Sequence, residues 1–144
     1  MYNVYKQSIT KKTGGFHMEE IKFYTYPSCT SCRKTKKWLV KEDVNFKERH
    51  LFRETPTHKE MLELLSMTTE GMDELLAKRS QEYKKLNVDV DSMTLSEVVN
   101  LLIEHPRLLR RPILTDGKKL VVGYNESALK NLVKKKTSLA SLVV

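Results

Sequence analysis

Hydrophobic and polar positions divide the chain into three successive blocks with different periodicities. In the first block, the apolar run at residues 21–26 predicts a β-strand, residues 31–41 place apolar side chains on one face of a helix, and residues 44–50 alternate as a second strand does. A strand, helix and strand in succession are typical of a βαβ unit, whose crossover is almost always right-handed. The carboxyl end of the first strand is where α/β folds keep their functional sites.

The second block, residues 57–105, carries only helical signals. Two capping boxes begin helices there, and each is followed by apolar residues at helical spacing. Gly71 interrupts the pattern between them. We therefore expect an all-helical insertion between the two halves of another domain. The capping pairs are Thr57 with Glu60 and Thr94 with Glu97, and short helices are expected between them at residues 72–77 and 81–86.

The third block returns to strands. Residues 112–115 and 119–123 are strand-like, and Asp116-Gly117 between them is a strong signal for a hairpin turn. An amphipathic helix that ends near residue 136 follows. A βαβ unit followed by a ββα unit predicts an α/β fold of the thioredoxin-like class with a helical insertion. Pro112 opens its strand at the place where that fold usually keeps a cis X-Pro bond.

This pattern divides the chain into four parts. The thioredoxin-like redox domain is expected to comprise residues 20–56 together with residues 106–137, and residues 57–105 form the insertion. Residues 1–19 and 138–144 show no clear periodicity, so we expect a flexible leader and a flexible tail.

The charge of the chain is strongly basic. Its 144 residues include 26 Lys and Arg against 18 Asp and Glu, which gives a net charge of +8. Nucleic acid, an acidic protein surface or an oxyanion are all compatible partners, although solvated helix faces produce the same balance. No apolar segment is long enough to span a membrane, so we expect a cytoplasmic protein that contacts no membrane.

The two cysteines of the chain, Cys29 and Cys32, lie three residues apart between the first strand and the first helix. At such a turn, unpaired backbone N–H groups and the helix dipole stabilise a thiolate on the first sulfur, and the second sulfur is within reach of a disulfide. Inert buried cysteines fit poorly with the polar residues Thr30 and Ser31 between them. A zinc site needs further ligands, which the scattered histidines do not supply. A redox-active pair without metal or cofactor is therefore the leading interpretation.

Four motifs of the chain stand out in combination. They are Tyr-Thr-Tyr-Pro-Ser-Cys-Thr-Ser-Cys-Arg-Lys at residues 24–34, Arg79-Ser80, Leu-Leu-Arg-Arg-Pro-Ile at residues 108–113, and Gly-Tyr-Asn-Glu at residues 123–126. Together these motifs resemble the Spx family of bacterial transcriptional regulators, within the wider arsenate reductase (ArsC-like) family. The resemblance covers roughly residues 20–136. Two further stretches, residues 52–56 and 68–71, are similar to the stress-regulating MgsR-type branch.

The resemblance implies a regulator that has no DNA-reading motif of its own. Proteins of this family bind the C-terminal domain of the RNA polymerase α subunit, and promoter DNA is met only within that complex. By resemblance, Cys29 and Cys32 form a disulfide switch under thiol stress, in which Cys29 is oxidised first and Cys32 resolves it. Gly71 would lie in the contact surface for the α subunit. Arg33 and Arg111 would surround the sulfurs.

An enzyme is the main alternative: a thiol oxidoreductase or an arsenate reductase with Cys29 as nucleophile. In such reductases, arginines surround the oxyanion beside the cysteine. Arg79 and Arg111 match two of them, but Tyr124 stands where a third is expected. A missing charge-assisted contact, worth ~1.5–3 kcal/mol, weighs against arsenate reduction. A regulator whose cysteines no longer matter is the third possibility, and both arginines also fit ordinary surface or salt-bridge positions.

For Gly71 and for the tail of the chain, the sequence leaves two interpretations open. Gly71 is either a helix-ending residue that needs a positive φ or a position where a side chain would block another protein, and the two are compatible. The tail at residues 139–144 is either a recognition end for an ATP-dependent protease or a plain apolar terminus.

Overall fold

The computed structural model describes residues 20–133, and within this range a four-stranded mixed sheet forms the centre of the molecule. The spatial order of the strands is β2-β1-β3-β4. The two amino-terminal strands are parallel, and each of the other two pairs is antiparallel. The strands are β1 (Ile21–Thr25), β2 (Phe46–His50), β3 (Ile113–Thr115) and β4 (Leu120–Val122).

Helices cover both faces of this sheet. They are α1 (Thr30–Lys41), α2 (His58–Ser66), α3 (Gln81–Leu86), α4 (Leu95–Glu104) and α5, which occupies residues 126–133 of the described range. Within residues 20–133, three short 3-10 turns lie at Gly71–Glu74, Val90–Ser92 and Pro106–Leu108.

Alternation along β1 separates two hydrophobic clusters. Ile21 and Phe23 face one side, where they pack with residues of α1 and α5 such as Leu39 and Leu129. Tyr24 belongs to the other cluster, which also contains the buried residues of α2 and α4. Because successive side chains of a strand point to opposite faces, each buried strand residue is assigned to one cluster. The thioredoxin-like α/β fold predicted from the sequence is confirmed.

Local signals account well for the ends of the elements. Both capping boxes form. The side chains of Thr57 and Thr94 each accept the backbone N–H of the glutamate three residues on, and the side chain of that glutamate accepts the backbone N–H of the threonine. In the hairpin, Oδ1 of Asp116 accepts from the backbone N–H groups of Lys118 and Lys119, and Gly117 adopts a φ of +94°. The Arg111–Pro112 peptide bond is cis.

The prediction of a short helix at residues 72–77 is wrong. The structure has the 3-10 turn Gly71–Glu74 there, and Leu76 then forms a β-bridge with Leu109. The backbone N–H of Ala77 donates to the carbonyl of Leu108 at 2.7 Å. The backbone N–H groups of Leu75 and Leu76 still donate to the carbonyl of Met72, but at Ala77 pairing with a distant segment replaces the next intrahelical hydrogen bond, so the insertion is not all-helical.

Gly71 has the positive φ that the sequence suggested, +83°, but it does not end a helix. Helix α2 ends at Ser66, and Gly71 begins the next 3-10 turn. The prediction that Gly71 ends a helix is therefore wrong, whereas the prediction that it has a positive φ is confirmed. No helix within residues 20–133 has the length and apolar character needed to cross a membrane. The expectations for the leader at 1–19 and the tail at 138–144 lie outside the described residues.

Candidate functional site

The first cysteine caps helix α1. Cys29 occupies the N-cap, and its Sγ accepts the backbone N–H of Cys32 at 3.2 Å, as the oxygen of a capping serine would. The N–H of Cys29 itself donates to the carbonyl of Tyr26 at 3.0 Å, which closes the turn after β1. Cys29 is half-buried and remains accessible. The structure therefore places a backbone N–H donor and the positive end of a helix directly on this sulfur.

The second cysteine is buried beside the first. Cys32 is 1% exposed, and both cysteines are free thiols. Burial raises the pKa of the Cys32 thiol to about 11, and a side-chain hydrogen bond with Cys29 adds to the rise, against a smaller opposing effect from Thr25. Cys32 therefore stays protonated at neutral pH. The pair is a hydrogen-bonded dithiol with one accessible and one protected sulfur.

Arg33 supports the turn rather than the sulfurs. Its Nη1 donates to the carbonyl of Pro27 at 3.0 Å, and its Nη2 lies 3.5 Å from Oγ1 of Thr30. The guanidinium thus bridges the residues on either side of Cys29. This fixes the backbone that presents the first sulfur.

Arg111 lies at the cis proline, in contact with carbonyls and aromatic rings. Its Nη1 donates to the carbonyl oxygens of Arg107 and Leu109, each at 3.3 Å. Its guanidinium carbon lies 6.0 Å from the ring centre of Tyr26 and 5.7 Å from that of Phe52. Arg111 is therefore linked to the cysteine turn through Tyr26, at cation–π distance.

The other predicted residues lie elsewhere. Arg79 is exposed, and within residues 20–133 it makes no side-chain hydrogen bond, ion pair or ring contact. Gly71 lies on the insertion and is exposed, and apart from its chain neighbours no atom of residues 20–133 lies within 4 Å of the position that a Cβ would occupy. Oη of Tyr124 donates to Glu126 at 3.4 Å. The structure thus brings Cys29 and Cys32 together, but it directs the side-chain hydrogen bonds of Arg33 and Arg111 to neighbouring residues and not to the sulfurs, and it does not join Arg79 to the pair.

Sequence reasoning missed an aromatic cluster at the carboxyl ends of β1 and β2. The rings of Tyr26, His50 and Phe52 are in mutual contact, with the Tyr26 and Phe52 centres 4.5 Å apart. The guanidinium carbon of Arg107 lies 4.9 Å from the ring centre of Phe52. A hydrogen bond with Ser28 lowers the pKa of Tyr26; burial opposes this, and the charge of Arg107 adds to it. The available signal was that the carboxyl ends of two parallel strands meet at one sheet edge.

Metal binding has no support among the described residues. Within 20–133, no three side chains of His, Cys, Asp or Glu come together in an arrangement that could hold an ion. What the arrangement offers chemically is a reversible two-electron dithiol pair.

Comparison with known proteins identifies the family. A family model described as "ArsC family" matches residues 24–132, which includes the cysteine turn, the insertion and the cis proline. The chain belongs to the ArsC family. This member is 61% identical over 119 residues to the regulatory protein MgsR of Bacillus subtilis, an alignment that covers 83% of this chain and 94% of that protein.

Other relatives show the breadth of the ArsC family. Our chain is 45% identical to the global transcriptional regulator Spx of Staphylococcus aureus, over 81% of this chain and 88% of that one. The solved structure of an ArsC family related protein from Bacteroides fragilis superposes with a TM-score of 0.69 at 25% identity, covering 78% of this chain and 97% of that one. The two sequence relatives are named as regulators and not as enzymes, which favours a regulatory member over an enzymatic one.

Proposed function

We propose that this ArsC-family chain is a redox-sensitive transcription regulator that binds the C-terminal domain of the RNA polymerase α subunit. A Cys29–Cys32 disulfide switches it and thereby changes promoter use under stress. The observation that carries the proposal is the hydrogen-bonded dithiol at the start of α1, with one accessible and one buried sulfur. The high identity to two named regulators supports the regulatory part of the proposal.

The redox step needs an oxidant of the peroxide or disulfide class. With hydrogen peroxide, Cys29 attacks one oxygen and becomes a sulfenic acid as the first water leaves. The sulfur of Cys32 then displaces the second water and forms the S–S bond, so two electrons and two thiol protons pass from the pair to the peroxide. Because the pKa of Cys32 is about 11, its proton must be removed in this second step.

Closing the disulfide changes the turn that both sulfurs define. Both thiol protons leave, so neither sulfur can donate a hydrogen bond once the S–S bond has formed. The turn is held by Arg33 through Pro27 and is joined to Arg111 through the ring of Tyr26. A change at the sulfurs therefore has a contiguous route of contacts to the cis proline segment. A partner that prefers one state by ~1–3 kcal/mol would show a 5- to 150-fold change in affinity.

The partner surface is assigned to the insertion around Gly71. Glu74 accepts the backbone N–H groups of Thr69 and Glu70, which orders the loop that precedes Gly71. Because a Cβ on Gly71 would have no non-neighbouring atom of residues 20–133 within 4 Å, an added side chain has room to project toward a partner. The insertion thus offers a well-ordered turn whose backbone another protein can approach closely.

A matched pair of variants tests this surface. Gly71→Arg and Gly123→Arg add the same side chain at two positions with open space and similar φ, +83° and +79°. Both carry the same kind of backbone strain. We expect only Gly71→Arg to abolish capture of the purified α C-terminal domain, measured with reduced and with oxidised protein.

The outcomes separate the parts of the proposal. Absence of binding by the wild-type chain in both redox states would remove the regulator mechanism as a whole. Equal losses in the two glycine variants would show that strain, and not surface position, explains the effect. An arsenate turnover with a thiol donor that persists over many cycles would support the enzyme instead; the tyrosine at position 124 and the isolated Arg79 argue against that outcome.

The proposal places the chain in the cytoplasm with the polymerase. Promoter DNA would be contacted within the polymerase complex. Recognition of residues 139–144 by an ATP-dependent protease remains part of the proposal, and these residues lie outside the described range.

A further inference from the structure

Helix α1 has a strongly basic outer surface. It carries five Lys and Arg side chains and no acidic residue over Thr30–Lys41. Arg33 is bound to the carbonyl of Pro27, and Lys36 forms an ion pair with Glu48 at 3.0 Å. The other three lysines make no side-chain hydrogen bond or ion pair with the described residues. These three, Lys34, Lys37 and Lys41, are called the α1 lysine face below.

The geometry of the α1 lysine face is regular. Its members lie at positions i, i+3 and i+7, so they form one stripe along the helix. At a rise of 1.5 Å per residue, the stripe is roughly 10 Å long. Each strand of a DNA duplex carries one phosphate per 3.4 Å of its axis, so the stripe matches about three consecutive phosphates.

The stripe borders an open depression between α1 and α5. Trp38 forms part of its floor, and the exposed ring of Tyr124 and the amine of Lys130 line its far side. Two carboxylates are also present, those of Glu42 and Glu126. Glu126 is paired with Lys130 at 3.3 Å. The charge that remains uncompensated is therefore that of the α1 lysine face, opposed by Glu42.

We propose that the α1 lysine face binds the phosphate backbone of duplex DNA without reading its sequence. The biological use of this contact, on DNA beside the polymerase, rests on the function proposed above, whereas the contact itself does not. Lysine meets a phosphate as a point charge on a flexible stem, and each contact releases a condensed counterion. Arg33, the one arginine of the helix, is occupied at Pro27, so the face lacks a free planar group for bidentate recognition of guanine.

An acidic protein fits this surface less well. Lysine is depleted in protein–protein interfaces, whose centres are aromatic or contain arginine. The depression beside the α1 lysine face is lined mainly by charged side chains; its two aromatic residues are Trp38, which is only 8% exposed, and Tyr124. A chain with a net charge of +8 also attracts a polyanion such as DNA over a longer range than it attracts a protein with a single acidic patch.

A pair of triple variants tests the assignment. One replaces Lys34, Lys37 and Lys41 with Gln. Its matched control replaces Lys59, Lys118 and Lys119, which are three exposed lysines elsewhere. Both change the net charge equally. Binding to a short duplex of arbitrary sequence is measured by fluorescence anisotropy in reducing buffer over a range of salt concentrations. Circular dichroism and thermal unfolding verify that both variants fold.

The readout is the slope of the logarithm of the association constant for DNA against the logarithm of the salt concentration. Each phosphate contact contributes about 0.9 to this slope, so loss of the α1 lysine face should reduce it by about 2 to 3. The control should change it by much less. Glu42→Gln, which removes the opposing carboxylate, should strengthen binding at every salt concentration. A scrambled duplex should bind as well as the original.

Several results would overturn the assignment. Equal slopes for both triple variants would show that only net charge matters, and a larger effect of the control would place the DNA contact elsewhere. A variant of the α1 lysine face that keeps its slope but loses capture of the α C-terminal domain would make the surface a protein-docking site. If the wild-type chain fails to capture that domain while the slope still falls as expected, the DNA contact stands and the polymerase proposal fails.

Discussion

The two cysteines should react with an alkylating reagent at very different rates. The nucleophile in alkylation is the thiolate. Burial and the hydrogen bond with Cys29 raise the pKa of Cys32 from an ordinary 9.0 to about 11. Two pKa units reduce the thiolate fraction at neutral pH about 100-fold. Cys32 is also only 1% exposed, whereas Cys29 is half-buried. Iodoacetamide should therefore modify Cys29 first and leave Cys32 protected.

The assay is time-resolved alkylation of the reduced protein, with mass spectrometry of the cysteine-containing peptides. The rate at Cys32 in the folded chain is compared with its rate in urea, and we expect a difference of about 100-fold or more. In Cys29→Ser, serine can accept the same capping bond, and Cys32 should stay slow because burial is the larger cause. Neither Cys29→Ser nor Cys32→Ser should form the disulfide. Alkylation of folded Cys32 within tenfold of its rate in urea would refute the reasoning.

The remaining predictions concern stability. Burial raises the pKa of Glu60, but the hydrogen bonds from Arg49 and from the capping N–H outweigh it and hold the value at about 2, against 4.5 ordinarily. The stabilisation is therefore fully present above pH 4.5 and is lost as the pH falls toward 2. The Glu60 side chain is 20% exposed, so solvent screening leaves about 1–3 kcal/mol of it. At neutral pH, Glu60→Gln should lower the free energy of unfolding in urea more than Glu97→Gln does, because the capping box of Glu97 has no arginine. Equal losses in the two variants would contradict this role of Arg49. Leu102→Ala removes a fully buried side chain and should cost about 2–5 kcal/mol, whereas Val40→Ala, at a position 63% exposed, should change stability by less than about 0.5 kcal/mol.

The elements were predictable where local chemistry decides them. The capping boxes at Thr57 and Thr94 and the turn at Asp116-Gly117 depend on residues within three or four positions of one another. The same holds for Cys29, whose Sγ reaches the backbone of Cys32 one turn away. Short-range hydrogen bonds of this kind are visible in a sequence because both partners are close along the chain.

The error at residues 72–77 has a long-range cause. Apolar spacing favoured a helix there, but Leu76 pairs with Leu109, a residue more than thirty positions away. The backbone N–H of Arg110 also donates to the carbonyl of Leu75. Pairing partners at this separation cannot be read from local periodicity, because tertiary contacts override a weak propensity.

The sequence by itself determined the thioredoxin-like order of elements and the presence of a dithiol at a helix start. Only the tertiary structure decided how those groups are used. It buried Cys32 and left Cys29 accessible, and it turned Arg33 and Arg111 toward carbonyl groups. It also placed the rings of Tyr26 and Phe52 between the sulfurs' turn and the cis proline segment. The physical reason is that burial and the direction of a long side chain depend on packing between segments that are distant in sequence, whereas caps and turns depend on neighbours.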